Sequence, residues 1–143
     1  MDDRDRKELV RQAFLAQQQA YAPYSEFLVG AALLTEDGKI YQGCNIENAS
    51  FSATNCAERT AFFKAVYDGC YDFAAIAVVG GPAGKPAQAH DEPSGPCGVC
   101  RQVMQEFCGP DFEIHMQKAG GGVFTVKLPE LLPFSFTKDS MEA

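Results

Sequence analysis

The chain begins with apolar residues at helical spacing and then changes to short, continuous apolar runs. From about Arg4 to Tyr21, apolar side chains recur every three or four positions, which predicts an amphipathic helix that ends before Pro23. Two apolar runs follow, Phe27 to Thr35 and Ile40 to Cys44. The turn-forming pair Asp37-Gly38 lies between them, so we predict two antiparallel strands joined by a hairpin.

The middle of the chain predicts a helix followed by a strand. Asn55 lies three positions before Glu58, which resembles the capping box that starts many helices, and Gly69 ends the helical pattern. Phe73 to Gly80 is a continuous apolar run of strand length. Because this run follows a helix, we expect it to pair in parallel with the earlier strands.

The last part of the chain opens with a segment, Gly81 to Gly95, whose three prolines and three glycines predict a long loop. Pro96 suits the first position of a helix that runs from Cys97 to about Cys108. Two strands, Phe112 to Gln117 and Val123 to Lys127, flank a glycine-rich connection, and a short helical turn follows. The whole pattern predicts an α/β fold, a three-layer α/β/α arrangement around a central mixed five-stranded sheet.

Composition and charge narrow the class of protein. A chain of 143 residues with 46% hydrophobic side chains can bury the core of a single domain, which we expect to cover residues 1–143. The net charge of −7 argues against a nucleic-acid partner, because such binding depends on Lys and Arg that neutralise phosphates. No apolar run approaches the ~20 residues that span a bilayer, so we expect a cytoplasmic protein without a membrane partner.

The six cysteines suggest metal binding or catalysis more than disulfides, because the cytosol keeps thiols reduced. Cys56, Cys97 and Cys100 lie where two predicted helices begin, on segments that we expect to follow neighbouring strands of one sheet. Cys97 and Cys100 are three positions apart and therefore share a helix face. We interpret the remaining cysteines as buried apolar side chains: Cys44, Cys70 and Cys108.

Three thiolates and one carboxylate at two helix starts predict a catalytic zinc site. Zinc binds cysteine sulfur in tetrahedral geometry and keeps its fourth position for water when the site is catalytic. Glu58, two residues after Cys56, is placed to move protons beside that position. Arg59 could donate hydrogen bonds to the sulfurs and withdraw their excess negative charge. Arg101 could do the same or lie at the surface.

Two motifs carry a family resemblance, TNCAERTA at 54–61 and PCGVCRQV at 96–103. Together with APYS at 22–25 and GCNIEN at 43–48, they resemble zinc-dependent cytidine deaminases of the short homotetrameric type, with Cys56 in the place of the histidine of the H-x-E signature. The resemblance implies a Zn²⁺ cofactor, a nucleoside substrate and a homotetramer with composite active sites. It further implies hydrolytic deamination of cytidine and deoxycytidine in pyrimidine salvage, with Glu58 as the catalytic residue.

The resemblance also implies how the substrate is held. It assigns hydrogen bonds with the ribose to Asn45 and Glu47, and contact with the pyrimidine to Phe27. It places Ala57 at the substrate and brings Phe136 into the site of a neighbouring subunit. Two features depart from the family pattern: the long loop of residues 81–95, and a phenylalanine at position 51 where a tyrosine is frequent.

Four other interpretations make different use of the same residues. A structural zinc site would need a fourth ligand, for which Cys44 is the obvious candidate. A redox dithiol at Cys97 and Cys100 would leave Cys56 and Glu58 without a role. A nucleoside-binding module without catalysis, or a deaminase of another aminopyrimidine, would keep the pocket.

Overall fold

The fold is built on one mixed sheet, seen in a computed structural model that describes residues 1–85, 93–118 and 121–141. Its strand order is β2-β1-β3-β4-β5, and the predicted mixed five-stranded sheet is confirmed. Only the β3–β4 pair of this sheet is parallel. The strands are β1 Phe27–Thr35, β2 Ile40–Cys44, β3 Phe73–Pro82, β4 Glu113–Gln117 and β5 Val123–Lys127.

The predicted parallel pairing of β3 with the earlier strands is wrong. β3 lies beside β1 and runs antiparallel to it, with Gly30 opposite Val79. The cause is the spatial order of the strands. β2 and β3 do point the same way, as expected of strands that a helix connects, but β1 lies between them and pairs antiparallel with both. The parallel partner of β3 is β4.

Helices cover both faces of the sheet, which confirms the three-layer arrangement. On one face, Leu9 and Ala13 of the first helix pack in a cluster with Ala32 and Ala77. On the other face, Phe62 belongs to a second cluster that includes side chains of two further helices. The helices are α1 Asp3–Gln17, α2 Ala57–Tyr67, α3 Gly98–Phe107 and α4 Leu128–Leu131, with 3₁₀ turns at Phe51–Ala53 and Lys138–Met141.

Some boundaries differ from those that the sequence predicts. α1 ends at Gln17 instead of Tyr21, because the Tyr21 N–H donates to the Asn45 carbonyl and forms a bridge with the segment after β2. β3 extends two residues beyond the predicted end. Residues 86–92 of the predicted loop at 81–95 lie outside the described residues. Within the described part of the chain, no helix has the length and apolar character that would let it cross a bilayer.

Two glycines let helices lie directly on the strands. A Cβ added at Gly43 in β2 would lie 2.6 Å from the Ala61 nitrogen in α2, and closer still to the Ala57 carbonyl. A Cβ at Gly30 in β1 would lie 2.5 Å from the Gln17 nitrogen in α1. No side chain larger than hydrogen fits between these backbones without displacement, so Gly43 fixes the distance of α2 from the sheet.

Candidate active site

Two cysteines of the site lie at the N-termini of helices. Cys56 is the N-cap of α2 and Cys97 is the N-cap of α3, and neither side chain caps its own helix. The predicted capping box at Asn55 is therefore wrong; the Asn55 amide donates to the Thr60 hydroxyl at 3.1 Å instead. Pro96, predicted at the first helical position, likewise precedes the N-cap and lies two positions before Gly98, where α3 begins.

The structure brings the three predicted sulfurs together. The Sγ of Cys97 lies 3.6 Å from that of Cys56 and 3.5 Å from that of Cys100, and all three Sγ atoms lie within 4.8 Å of one another. The expectation that α2 and α3 follow neighbouring strands is wrong, since β1 lies between β2 and β3. The helices converge nevertheless, because β2 and β3 end at the same edge of the sheet.

The spacing of the sulfurs fits a zinc ion. Tetrahedral coordination with Zn–S bonds of about 2.3 Å places two sulfurs about 3.8 Å apart. The observed separations of 3.5 and 3.6 Å are close to this value. Among the described residues the ligating group comprises these three thiols, and Cys44 is not part of it. Three protein ligands are the set that leaves the fourth tetrahedral position open.

Positive charge and hydrogen bonding favour a thiolate at Cys56. The Nη2 of Arg59 lies 3.3 Å from its Sγ, as the sequence predicts for a donor to sulfur. Hydrogen bonds from the Cys100 thiol and from Arg59 lower the pKa of Cys56 to about 5. The hydrogen bond with Cys56, together with burial, raises the pKa of Cys100.

Glu58 is a buried carboxyl group on the first turn of α2. Its side chain is 3% exposed, and this burial raises the pKa of Glu58 to about 7. A group with this pKa accepts and releases protons readily at neutral pH, which is the property of a general acid and base. Glu47 is the other carboxyl group among the predicted site residues, and its pKa is lowered.

A cavity of about 490 Å³ is lined by Glu58 and by two of the three thiols, Cys56 and Cys97. Four of the residues assigned to substrate binding line it, and the fifth, Phe136, does not. Sequence reasoning missed two serines of the lining, Ser25 and Ser94. The position of Ser94, three residues before Cys97, is the signal that could have identified it. The lining residues with predicted roles are Phe27, Asn45, Glu47, Cys56, Ala57, Glu58 and Cys97.

Asn45 joins the cavity wall to the sheet. Its Oδ1 accepts from the Val29 N–H and its Nδ2 donates to the Phe27 carbonyl, both at 2.9 Å. The side-chain amide thereby forms the same pair of bonds with β1 that a neighbouring strand would form. The edge of β1 next to the cavity is held in place by these two bonds.

Glu47 is held by the loop before β1. Its Oε1 accepts from the N–H groups of Tyr24 and Ser25 at 3.0 and 3.1 Å, and its Oε2 accepts from the Ser25 hydroxyl. The Ser25 hydroxyl is the largest cause of the lowered pKa of Glu47. A carboxylate has about four acceptor positions, so one remains for a hydroxyl group in the cavity.

The tail beyond α4 presents aromatic side chains to the outside. Phe134 is fully exposed with a φ of 52°, and Phe136 is 54% exposed. The Phe136 carbonyl accepts from the Gln102 side chain of α3 at 2.8 Å. Phe51, the departure from the family pattern, is also exposed at 82%. Neither Phe51 nor Phe136 lines the cavity that contains the thiols and Glu58.

Arg101 fits neither of the two roles that the sequence left open. Its side chain is part-buried and donates to backbone carbonyls, from Nε to Pro96 at 2.7 Å and from Nη1 to Leu131 at 2.8 Å. It therefore connects the turn before Cys97 with the end of α4.

Comparison with known proteins identifies the family. A family model described as the cytidine and deoxycytidylate deaminase zinc-binding region matches residues 3–116. A cytidine deaminase of Sporosarcina psychrophila is 48% identical over 137 residues, which cover 96% of this chain and 95% of that protein. A probable cytidine deaminase of Dictyostelium discoideum is 39% identical over 143 residues, 100% of this chain and 91% of that protein.

A solved structure shows the same architecture. The crystal structure of cytidine deaminase from Burkholderia pseudomallei matches with a TM-score of 0.79 at 48% identity, and the match covers 90% of this chain and 97% of that one. The family model spans most of the chain, and relatives at this identity span nearly all of it. The chain therefore belongs to the family of cytidine and deoxycytidylate deaminases with a zinc-binding region.

Proposed function

We propose that this protein is a cytoplasmic pyrimidine-salvage enzyme, with residues 1–143 as one domain, that hydrolyses cytidine and deoxycytidine. Water adds to C4 of the base and the bond from C4 to the exocyclic nitrogen breaks, which gives uridine or deoxyuridine and ammonia. The observation that carries the proposal is the buried Glu58, with a pKa near 7, in the cavity beside three sulfurs at zinc-binding distances.

The metal site consists of Cys56, Cys97 and Cys100, with the Arg59 guanidinium donating to one sulfur. A zinc ion held by these residues supplies a Lewis acid that makes water a stronger acid. Hydrogen bonds from Arg59 reduce the negative charge that three thiolates place on the ion. This assignment favours a catalytic site, because a structural zinc site would need a fourth protein ligand.

Glu58 is the proton carrier of the proposed reaction. With its pKa raised by burial to about 7 it exchanges protons readily at neutral pH, so its ionised form can take a proton from the attacking water and deliver it to N3 of the base. It then takes the remaining proton of the added water from the C4 hydroxyl and delivers it to the amino group, which leaves as ammonia. Its burial keeps bulk water from competing for these transfers.

The substrate contacts follow from the cavity wall. The Phe27 ring offers an apolar surface for the pyrimidine, and the backbone of Ala57 lies next to the thiols. The remaining acceptor position of Glu47 suits a ribose hydroxyl. The Asn45 amide already bonds to β1, so its part in ribose binding is to hold this wall in place.

A homotetramer with composite sites accounts for the aromatic tail. Phe134 and Phe136 are exposed and do not line the cavity of their own chain. Large exposed aromatic side chains mark protein contacts. In the proposed assembly, Phe136 completes the cavity of a neighbouring subunit.

The proposal is tested with a Glu58→Gln variant, which keeps the size of the side chain and removes its ionisable carboxyl group. Cytidine loss is followed by ultraviolet absorbance in zinc-loaded protein, and bound zinc is measured in parallel. We expect turnover to fall by about 10²- to 10⁴-fold while zinc content stays the same. Glu106→Gln, the same change at an exposed position of α3, serves as the control and keeps full activity.

Two results would contradict the proposal. Zinc-loaded native protein that deaminates neither cytidine nor deoxycytidine would refute it outright. Equal turnover in the native protein and the Glu58→Gln variant would assign the three thiols to a structural role.

A further inference from the structure

The carbonyl groups on both sides of the Cys97 α-carbon accept hydrogen bonds from residue 101. The side-chain Nε of Arg101 donates to the Pro96 carbonyl at 2.7 Å, and the first main-chain hydrogen bond of α3, from the N–H of residue 101 to the Cys97 carbonyl at 2.9 Å, holds the other side independently of the side chain. These two carbonyls belong to the peptide groups that flank the α-carbon of Cys97. Fixing both peptide planes fixes the direction in which the Cys97 side chain leaves the backbone.

Cys97 is the one of the three thiols that most needs such support. Cys100 is buried, at 1% exposed, and the Cys56 sulfur accepts a hydrogen bond from the Arg59 guanidinium. Cys97 is exposed, and in the described part of the chain its sulfur forms hydrogen bonds with Cys56 and Cys100 only. Its position therefore depends on its backbone.

The other end of the Arg101 side chain is anchored to a different element. Nη1 donates to the carbonyl of Leu131, the last residue of α4, at 2.8 Å. α4 is itself fixed by Leu128, which is 1% exposed in the core. The planar guanidinium can hold two carbonyls at once in a fixed geometry, whereas the ammonium group of a lysine is a single flexible point of attachment.

We propose that Arg101 is a positioning residue of the metal site, which holds Cys97 at ligand distance by tying its backbone to α4. The inference extends the proposed function, because the ion that the thiols bind is taken to be zinc. It gives Arg101 a role distinct from that of Arg59. Arg59 acts on the charge of a sulfur, and Arg101 acts on where a sulfur lies.

The test measures metal binding and uses no nucleoside. The zinc dissociation constants of native protein and the Arg101→Met variant are compared by chelator competition, and Co²⁺ is used to record thiolate-to-metal charge-transfer absorption. We expect about 10- to 100-fold weaker zinc binding, the usual loss when a group that orients a metal ligand is removed. The charge-transfer absorption per bound Co²⁺ should also fall, because the Cys97 thiolate coordinates the ion less closely.

Arg6→Met is the matched control on the opposite face of the sheet. It removes a part-buried arginine that pairs with Glu113 at 3.3 Å, so it disturbs the fold without touching the thiols. Zinc affinity should be unchanged in this variant. Equal losses of affinity in the two methionine variants would show a general effect of lower stability and would overturn the proposal.

Arg101→Lys keeps the inference testable if Arg101→Met does not fold. It retains the charge and most of the side chain but not the two-carbonyl geometry, so we expect a smaller but measurable loss of zinc affinity. Native affinity in either Arg101 variant refutes the inference. A chain that binds zinc normally but deaminates no nucleoside would instead refute the proposed function and leave the role of Arg101 intact.

Discussion

Replacing Gly43 by alanine should displace the helix that carries Cys56 and Glu58. The new Cβ would lie 2.6 Å from the Ala61 nitrogen. Ordinary contacts begin near 3.5 Å, so α2 must move away from the sheet by about 1 Å. Overpacking of this kind costs about 1–3 kcal/mol, and the alanine regains about 0.5–1 kcal/mol that glycine loses in a strand.

The net loss of up to about 2.5 kcal/mol should lower the melting temperature by up to about 10 °C, measured by circular dichroism. The larger effect should be on activity. A displacement of about 1 Å in a catalytic group can cost about 100-fold in rate, and Gly43→Ala moves Glu58 together with Cys56. We expect kcat/KM to fall on that scale.

Gly30→Ala is the matched control for this prediction. A Cβ at position 30 would lie 2.5 Å from the Gln17 nitrogen of α1, which is about as close as a Cβ at position 43 would come to the Ala61 nitrogen of α2. However, α1 carries no residue of the site. The control should lose stability and keep kcat/KM within a few-fold of native. A Gly43→Ala variant with native melting temperature and native activity would refute the close packing of α2 on β2.

Two further predictions concern acid and metal. Burial lowers the pKa of His115 to about 4, so between about pH 6.5 and 4 the unfolded chain binds a proton that the folded chain does not. The free energy of unfolding should therefore decrease as pH falls through this window, and His115 should account for up to about 3 kcal/mol of the decrease. Urea unfolding at several pH values should show a smaller decrease in a His115→Gln variant than in native protein. Identical pH dependence in the two proteins would contradict the assignment. Cys97→Ser should lose stoichiometric zinc, whereas Cys44→Ser, outside the thiol group, should retain it; loss of zinc in both would indicate a fourth cysteine ligand.

The strands of the hairpin could be predicted from the sequence because they depend on neighbouring residues. Phe27–Thr35 and Ile40–Cys44 have the predicted bounds, since an apolar run and a turn signal determine each of them locally. The direction of β3 could not be predicted in this way. It depends on which strand lies beside it in space, and β1 lies between the two strands that α2 connects.

The thiol cluster was predictable for a similar reason, and its supporting contacts were not. Helix-start signals close to Cys56 and Cys97 are local, so they indicate that both residues lie at helix N-termini. The role of Arg101 depends on the Leu131 carbonyl, thirty positions away, and no pattern around Arg101 identifies it. The hydrogen bonds of Asn45 with β1 are likewise visible only in the folded chain.

The two bonds between Asn45 and β1 have a consequence for engineering substrate preference. A library randomised at position 45 alters a wall of the cavity that contains Glu58 and, at the same time, a pair of hydrogen bonds that extends the sheet. Most members should then be lost as poorly expressed protein before any new selectivity can be screened. Position 47, whose carboxylate is held by a loop, offers the more permissive starting point.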